Sequence, residues 1–100
     1  MTRGSTPAHV FTLPFSVETI KTVEITYEQN EEVKLKKTNI DCTLEENTVS
    51  VKLTQEDTFK FDEKPLVKIQ IRVLTLGGDD IASDIMYATV KDSLSDEVLI

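Results

Sequence analysis

Apolar and polar residues alternate along most of this chain in short, well-bounded runs. Val23, Ile25 and Tyr27 alternate with Glu24, Thr26 and Glu28, and Val33 and Leu35 with Lys34 and Lys36. Ile40, Cys42 and Leu44 alternate with Asp41, Thr43 and Glu45. The rhythm continues through Val49, Val51 and Leu53, then through Val67, Ile69, Ile71 and Val73. A period of two sends successive side chains to opposite faces of a pleated strand, so these runs predict antiparallel strands with one buried face. Shared parity puts Val23, Ile25, Val33, Leu35, Val51, Leu53, Phe59, Ile69, Ile71 and Val73 in the expected core.

Turn residues separate the runs. Gln29-Asn30-Glu31 and Glu46-Asn47 read as hairpin tips, and Gly77-Gly78-Asp79-Asp80 joins the longest strand to the last one. Pro14 has no N–H for a ladder and ends the opening strand, leaving residues 15–20 as a short crossover. Thr54 with Asp57 three residues on has the form of a helix cap, with room for one turn before Phe59. The resulting strands are 8–13, 21–29, 32–37, 40–45, 48–53, 66–76 and 81–91. About seven strands at this spacing predict an all-β fold, a two-sheet antiparallel β-sandwich of the immunoglobulin-like kind. A small closed barrel is the alternative arrangement. The domain covers residues 8–100, with 1–7 as an N-terminal extension.

Two stretches break the alternation. Leu74 and Leu76 fall out of parity with Val73, and Met86, Ala88 and Val90 alternate with the equally apolar Ile85 and Tyr87. Either a bulge resets the pattern near Leu74 or a second molecule covers the outer face. The terminal Glu97-Val98-Leu99-Ile100 is apolar for a chain end, where chains normally fray and turn polar. It predicts a short paired final strand or a contact with another subunit. Leu74, Leu76, Met86, Val98, Leu99 and Ile100 are therefore the candidate subunit contacts.

Composition supports the β reading. Valine, isoleucine and threonine supply 31 residues against three alanines, and branching at Cβ suits a sheet better than a helix. No run approaches the length of a membrane-spanning helix, and residues 1–7 have no apolar signal-like stretch, so no membrane partner is expected. The net charge of −7 argues against nucleic acid, whose binders concentrate Lys and Arg against phosphate. Six of the 18 acids, and only Lys91 among the bases, fall in residues 77–100. That acidic end favours solubility or greets a basic partner.

Chemistry-bearing residues are sparse. With one Cys and no Trp, neither an internal disulfide nor the tryptophan core of antibody domains can form. His9 and Cys42 are the candidates for a base and a nucleophile, yet Cys42 sits among the apolar positions of its run and reads as a packed thiol. No catalytic motif accompanies them, so an enzyme is not expected. Asp79, Asp80 and Asp84 would hold calcium only if a second loop, carrying Asp57, Asp62 and Glu63, met them. Phe59 and Phe61 read as core rather than as a sugar platform. No cofactor or metal is expected.

Longer stretches carry a resemblance. They are Phe11-Thr12-Leu13-Pro14-Phe15, Val23-Glu24-Ile25-Thr26-Tyr27-Glu28-Gln29-Asn30 and Val51-Lys52-Leu53-Thr54-Gln55-Glu56-Asp57-Thr58. Ile69-Gln70-Ile71-Arg72-Val73, Ala82-Ser83-Asp84-Ile85 and Leu94-Ser95-Asp96-Glu97-Val98-Leu99 follow. Together the chain resembles a family of small β-sandwich structural proteins of tailed bacteriophages and prophages of Gram-positive hosts. Its second half resembles the N-terminal domain of phage baseplate upper proteins, which continue into a large C-terminal region where this sequence stops at Ile100. The resemblance implies a virion or tail-associated structural protein, adaptor or baseplate-like. Such a protein acts through contacts with other phage structural proteins or copies of itself, as an oligomer in the particle. It would be found in the virion, or in the bacterial cytoplasm during assembly. The alternative function is a stand-alone carbohydrate or cell-surface binding module.

Overall fold

Alternation along the two longest strands, β2 (Ile20–Gln29) and β6 (Val67–Thr75), organises the computed structural model, which describes residues 1–100. They pair antiparallel from Ile20 opposite Thr75 to Glu28 opposite Lys68. Val23, Ile25 and Tyr27 thereby face inward beside Val73, Ile71 and Ile69, and all six are buried. β3 (Glu32–Thr38) flanks β2 through a hairpin whose tip residues Asn30 and Glu31 both have positive φ, as a two-residue turn between twisted strands requires. The far side of β6 is flanked by β7 (Asp80–Ala82) and β8 (Met86–Ala88).

The second sheet has the order β1-β5-β4, built from Ala8–Thr12, Thr48–Lys52 and Cys42–Glu45. It lays Val49 and Val51 against the larger sheet, with Leu53 and Phe61 completing one core. The two sheets are separate and antiparallel, a sandwich rather than a closed barrel. Crossovers between sheets run through Val17–Thr19, Asn39–Asp41 and the single α-helical turn α1 (Gln55–Phe59). The strand order is that of an immunoglobulin-like sandwich with strands B-E-D facing C′-C-F-G and strand A missing. Residues 1–7 do not run beside β1. They turn at Gly4, and Thr2 bridges in parallel to Lys91.

The expected last strand, 81–91, is split in two by a bulge. Arg72 pairs with Ala82 but Ile69 pairs with Met86, so the returning strand carries one more residue than β6 across this gap. Ser83 fills the break: its hydroxyl accepts from the Ile71 N–H and its own N–H donates to the Ile71 carbonyl. The extra residue changes parity, so Ile81 and Met86 both face the interior while Ile85 and Tyr87 face out. No second molecule is needed to explain that two-sided stretch.

Three other expectations need correcting. Val33 is 52% exposed, because the pairing of β3 with β2 slips by one residue at Lys34 and turns Val33 to the outer face. Ile40 is 94% exposed and precedes its strand: Asp41 accepts from the Thr38 N–H and folds Asn39–Asp41 into a 3₁₀ turn, so β4 begins at Cys42. Phe59 is only half-buried, at the end of α1, and Phe61 takes the core position instead. The Thr54–Asp57 cap forms as expected, each side chain bonding the other's backbone N–H.

These placements separate two truncations. Ile71→Ala empties a buried site and is expected to cost about 2–5 kcal/mol in urea unfolding. Val33→Ala, on the exposed side of the bulge, is expected to cost less than about 0.5 kcal/mol. Equal losses would show that the Lys34 bulge is misplaced.

Candidate functional site

The two side chains expected to carry chemistry lie on the small sheet, on opposite sides of its central strand. His9 and Cys42 both flank Val51 in the small sheet. From the opposite sheet Tyr27 brings its hydroxyl to 2.7 Å from His9 Nδ1, the two rings 5.7 Å apart. Beside them Lys37 Nζ lies 2.9 Å from Asp57 Oδ2, both side chains largely buried. Burial pushes the Tyr27 phenol well above its ordinary range, and at the alkaline pH where it would ionise the Cys42 thiolate and the Asp57 carboxylate add to that. Burial also pushes the Cys42 thiol up, Asp41 adds to it, and the pull of Lys37 does not reverse it. A protonated thiol is a poor nucleophile. Burial lowers the His9 imidazole below its ordinary value, helped by the amino terminus. Asp57 goes the other way from its burial, since the Thr54 N–H and Lys37 hold its carboxylate below the usual range. The cluster is neutral apart from one internal ion pair, and what it does is tie β1 to β2 and α1 to β3.

The remaining candidates are dispersed. Asp80 pairs with Arg72, and the Asp79 N–H donates to Thr75 Oγ1 at 3.0 Å, at the β6 end opposite Ile20. Asp62 lies at the other end of the same strands, its N–H bonded to the Gln29 side chain at 2.8 Å. The two acidic loops therefore cannot meet, and no three His, Cys, Asp or Glu side chains gather as metal ligands. Phe59 lies under the Arg3 guanidinium, 5.5 Å from its ring centroid, and in van der Waals reach of Gly4. Gly4 has φ +81°, and any Cβ there would strike the Phe59 ring. Arg3 also bonds Asp92 at 2.9 Å, Asp96 at 3.0 Å and the Phe61 carbonyl at 2.8 Å.

Among the expected subunit contacts, Leu74 is half-buried on the outer face and Leu76 is exposed past the end of β6. Val98, Leu99 and Ile100 form no strand. The Gln55 side chain holds the Leu99 backbone through both its N–H and its carbonyl, while the three apolar side chains stay exposed. Met86 faces inward, and this leads to the one apolar opening in the sandwich. The large sheet extends past β1, and between β1 and the β7–β8 edge lies a cleft of about 360 Å³. Phe11, Phe15, Ile71, Val73, Ile81 and Met86 line it. Phe15, expected only as part of the crossover after β1, and Ile81, expected only as the start of the last strand, were not singled out from the sequence as lining residues.

Beside the cleft, β1 presents a bare edge. The Leu53 N–H donates to the Pro7 carbonyl and the Leu13 N–H to the Asn47 carbonyl, which fixes residues 7, 9, 11 and 13 as those bonded to β5 and its extensions. Ala8, Val10 and Thr12 therefore point their N–H and C=O groups away from β5, where no strand lies. All three are exposed, Val10 by 62%. An unpaired strand edge next to an apolar cleft has the geometry to accept an extended backbone. No protein-family model matches this sequence, and no curated protein matches it.

The internal cluster makes stability pH-dependent in a definite direction. The unfolded chain takes up a proton at His9 near the ordinary 6.5, whereas the folded chain resists it. The unfolded state then binds more protons, so stability is full above pH 6.5 and falls as pH drops below it. Urea midpoints of the wild type are expected to decline from pH 7 to 5, and those of His9→Gln to decline less. Parallel profiles would remove His9 as the cause.

Proposed function

We propose that this chain is a structural subunit of a tailed phage or prophage particle, tail-associated and acting through protein–protein contacts. The observation that carries the contact reading is the unpaired β1 edge beside the apolar cleft. A sheet edge of this kind offers backbone hydrogen bonds and an apolar floor at once, the two components of strand-on-edge recognition. The phage assignment rests on the resemblance carried by the Phe11–Phe15, Val23–Asn30 and Val51–Thr58 stretches. The protonated thiol and the neutral imidazole support a role in packing for the only His–Cys set in the chain.

A second reading has its own observation. Tyr87 is 61% exposed and shares a shallow depression with Leu66, Glu28 and Lys68 on the outer face. An exposed aromatic beside polar side chains is the combination that stacks on and hydrogen-bonds a sugar. Glycan binding lost in Tyr87→Ala would favour this module over the particle subunit.

Density-banded particles from the host that carries this gene are expected to contain the chain at a fixed ratio to the major tail protein, read by mass spectrometry. Particles that assemble without it would sink the phage reading.

A further inference from the structure

We infer that the cleft and the β1 edge together receive one extended segment of a different chain, apolar at alternate residues and basic between them, which enters as a fourth strand of the small sheet. This rests on the reading that the protein acts through protein contacts, and it states the chemistry of the partner.

The offset between the sheets limits what fits. The small sheet ends at β1, while the large one continues past it as β7 and β8. A strand laid on β1 therefore lies over that overhang, and the cleft is the space its inward side chains would fill. A folded sandwich packed on the same side would bring its own second sheet into the overhang. A single extended segment brings none. The backbone groups of Ala8, Val10 and Thr12 that point away from β5 offer it hydrogen bonds along the five residues of β1. Its residues opposite His9 and Phe11 share their inward direction, because directly opposed residues lie on the same face of a sheet. Those two positions meet Ile71, Val73, Ile81 and Met86 and call for large apolar side chains.

No part of this protomer is free to supply the segment. The Arg3 N–H donates to the Lys91 carbonyl, which holds residues 1–7 away from the edge. Arg3 holds Asp92 and Asp96, and Gln55 holds the Leu99 backbone. Charge then selects the kind of partner. The β7–β8 edge that bounds the cleft carries Asp79, Asp80 and Asp84, and only Asp80 has an ion-pair partner, Arg72. The chain as a whole carries −7. Lysine or arginine between the apolar residues is drawn into this field, whereas carboxylates are repelled.

Three synthetic peptides of the same length test this against the full chain, with amide exchange and side-chain methyl shifts read by NMR. The first alternates lysine and valine, the second alternates glutamate and valine, and the third has the first one's composition as a block of lysines followed by a block of valines. The lysine–valine peptide is expected to slow exchange at Ala8, Val10 and Thr12 and to shift the methyl signals of Ile81 and Met86. Its Kd should fall below about 1 mM, with the other two peptides weaker by about tenfold or more. Val10→Pro removes an N–H that the protomer does not use, and Ile81→Lys puts a charge on the partly exposed cleft wall. Each is expected to weaken the first peptide by about tenfold while the melting temperature stays put. If a variant fails to fold, the wild-type amides still decide.

Unchanged exchange at those three amides in millimolar lysine–valine peptide overturns the inference. So does equal binding of the block peptide, which would reduce the effect to unspecific attraction, or of the glutamate peptide, which would remove the choice by charge. Protection that rises with protein concentration alone would assign the edge to a second copy. Decanoate that shifts Ile81 and Met86 more strongly than any peptide would make the cleft an acyl pocket. Either result also overturns it. A chain found in particles that binds none of the peptides would end this inference and leave the phage reading standing; peptide binding by a chain absent from particles would do the reverse.

Discussion

The antiparallel pairing of β2 with β6 is the constraint to which the rest of the structure conforms. Its matched parity buries Val23, Ile25 and Tyr27 beside Val73, Ile71 and Ile69, so a slip of one residue would turn one strand's three side chains out to water. Each fully buried side chain of this size is worth about 1.5–3 kcal/mol, which makes that register far costlier to lose than any at the periphery. Misfits elsewhere are absorbed outside this pair or at its end. The slips at Lys34 in β3 and at Ser83 between β7 and β8 lie in the outer strands, and the one between Ile20 and Thr22 lies where β2 begins. A bulge at the margin bends one strand and leaves the central pair alone.

That division explains what could be read from the sequence. Where alternation is uninterrupted, as in Val49–Leu53 or Val67–Val73, the pattern identifies both the strand and its buried face, since no other period fits. The hairpin at Asn30 and the cap at Thr54 were legible for a similar reason, because each is set by side chains within a few residues. Val33 was not legible. Its face depends on a one-residue slip in pairing with β2, and nothing within β3 marks Lys34 as the extra residue. Ile40 was misread because Asp41 could bond a neighbouring N–H more readily than it could continue a strand. The cleft was invisible altogether. It arises from the offset between a three-stranded sheet and a wider one, a difference in strand count that no local window contains.

Side chains finish the ladders that strands leave incomplete. Asn39 accepts from the Val23 N–H at 2.6 Å and donates to the Lys21 carbonyl, where β3 has turned away from β2. Ser83 does the same for Ile71 at the bulge. Gln29, buried to 1%, bonds the backbone of Asp62 and Pro65 and so fixes the approach to β6. Gln55 treats Leu99 likewise. Every buried polar side-chain atom has a partner. The physical cause is the cost of leaving a desolvated donor or acceptor unmet, roughly 1–3 kcal/mol for each group.

Against that background the bare edge of β1 gains its meaning. Amide and hydroxyl side chains close gaps at both ends of β2, beside β6 and along the C-terminal segment, yet none reaches the outward groups of Ala8, Val10 or Thr12. Residues 1–7, which enter β1 directly and could have folded back along it, are held elsewhere. The Arg3 N–H donates to the Lys91 carbonyl, and the Arg3 side chain spans Phe61, Asp92 and Asp96. Water satisfies the edge in an isolated protomer, so it costs little while exposed. The apolar cleft beside it is different, because Phe11, Ile81 and Met86 gain only when something covers them. A strand laid on β1 would replace water on the edge at nearly equal energy and remove apolar surface from water at a gain. The driving force for occupancy therefore comes from the cleft, and the hydrogen-bonding edge supplies orientation and register.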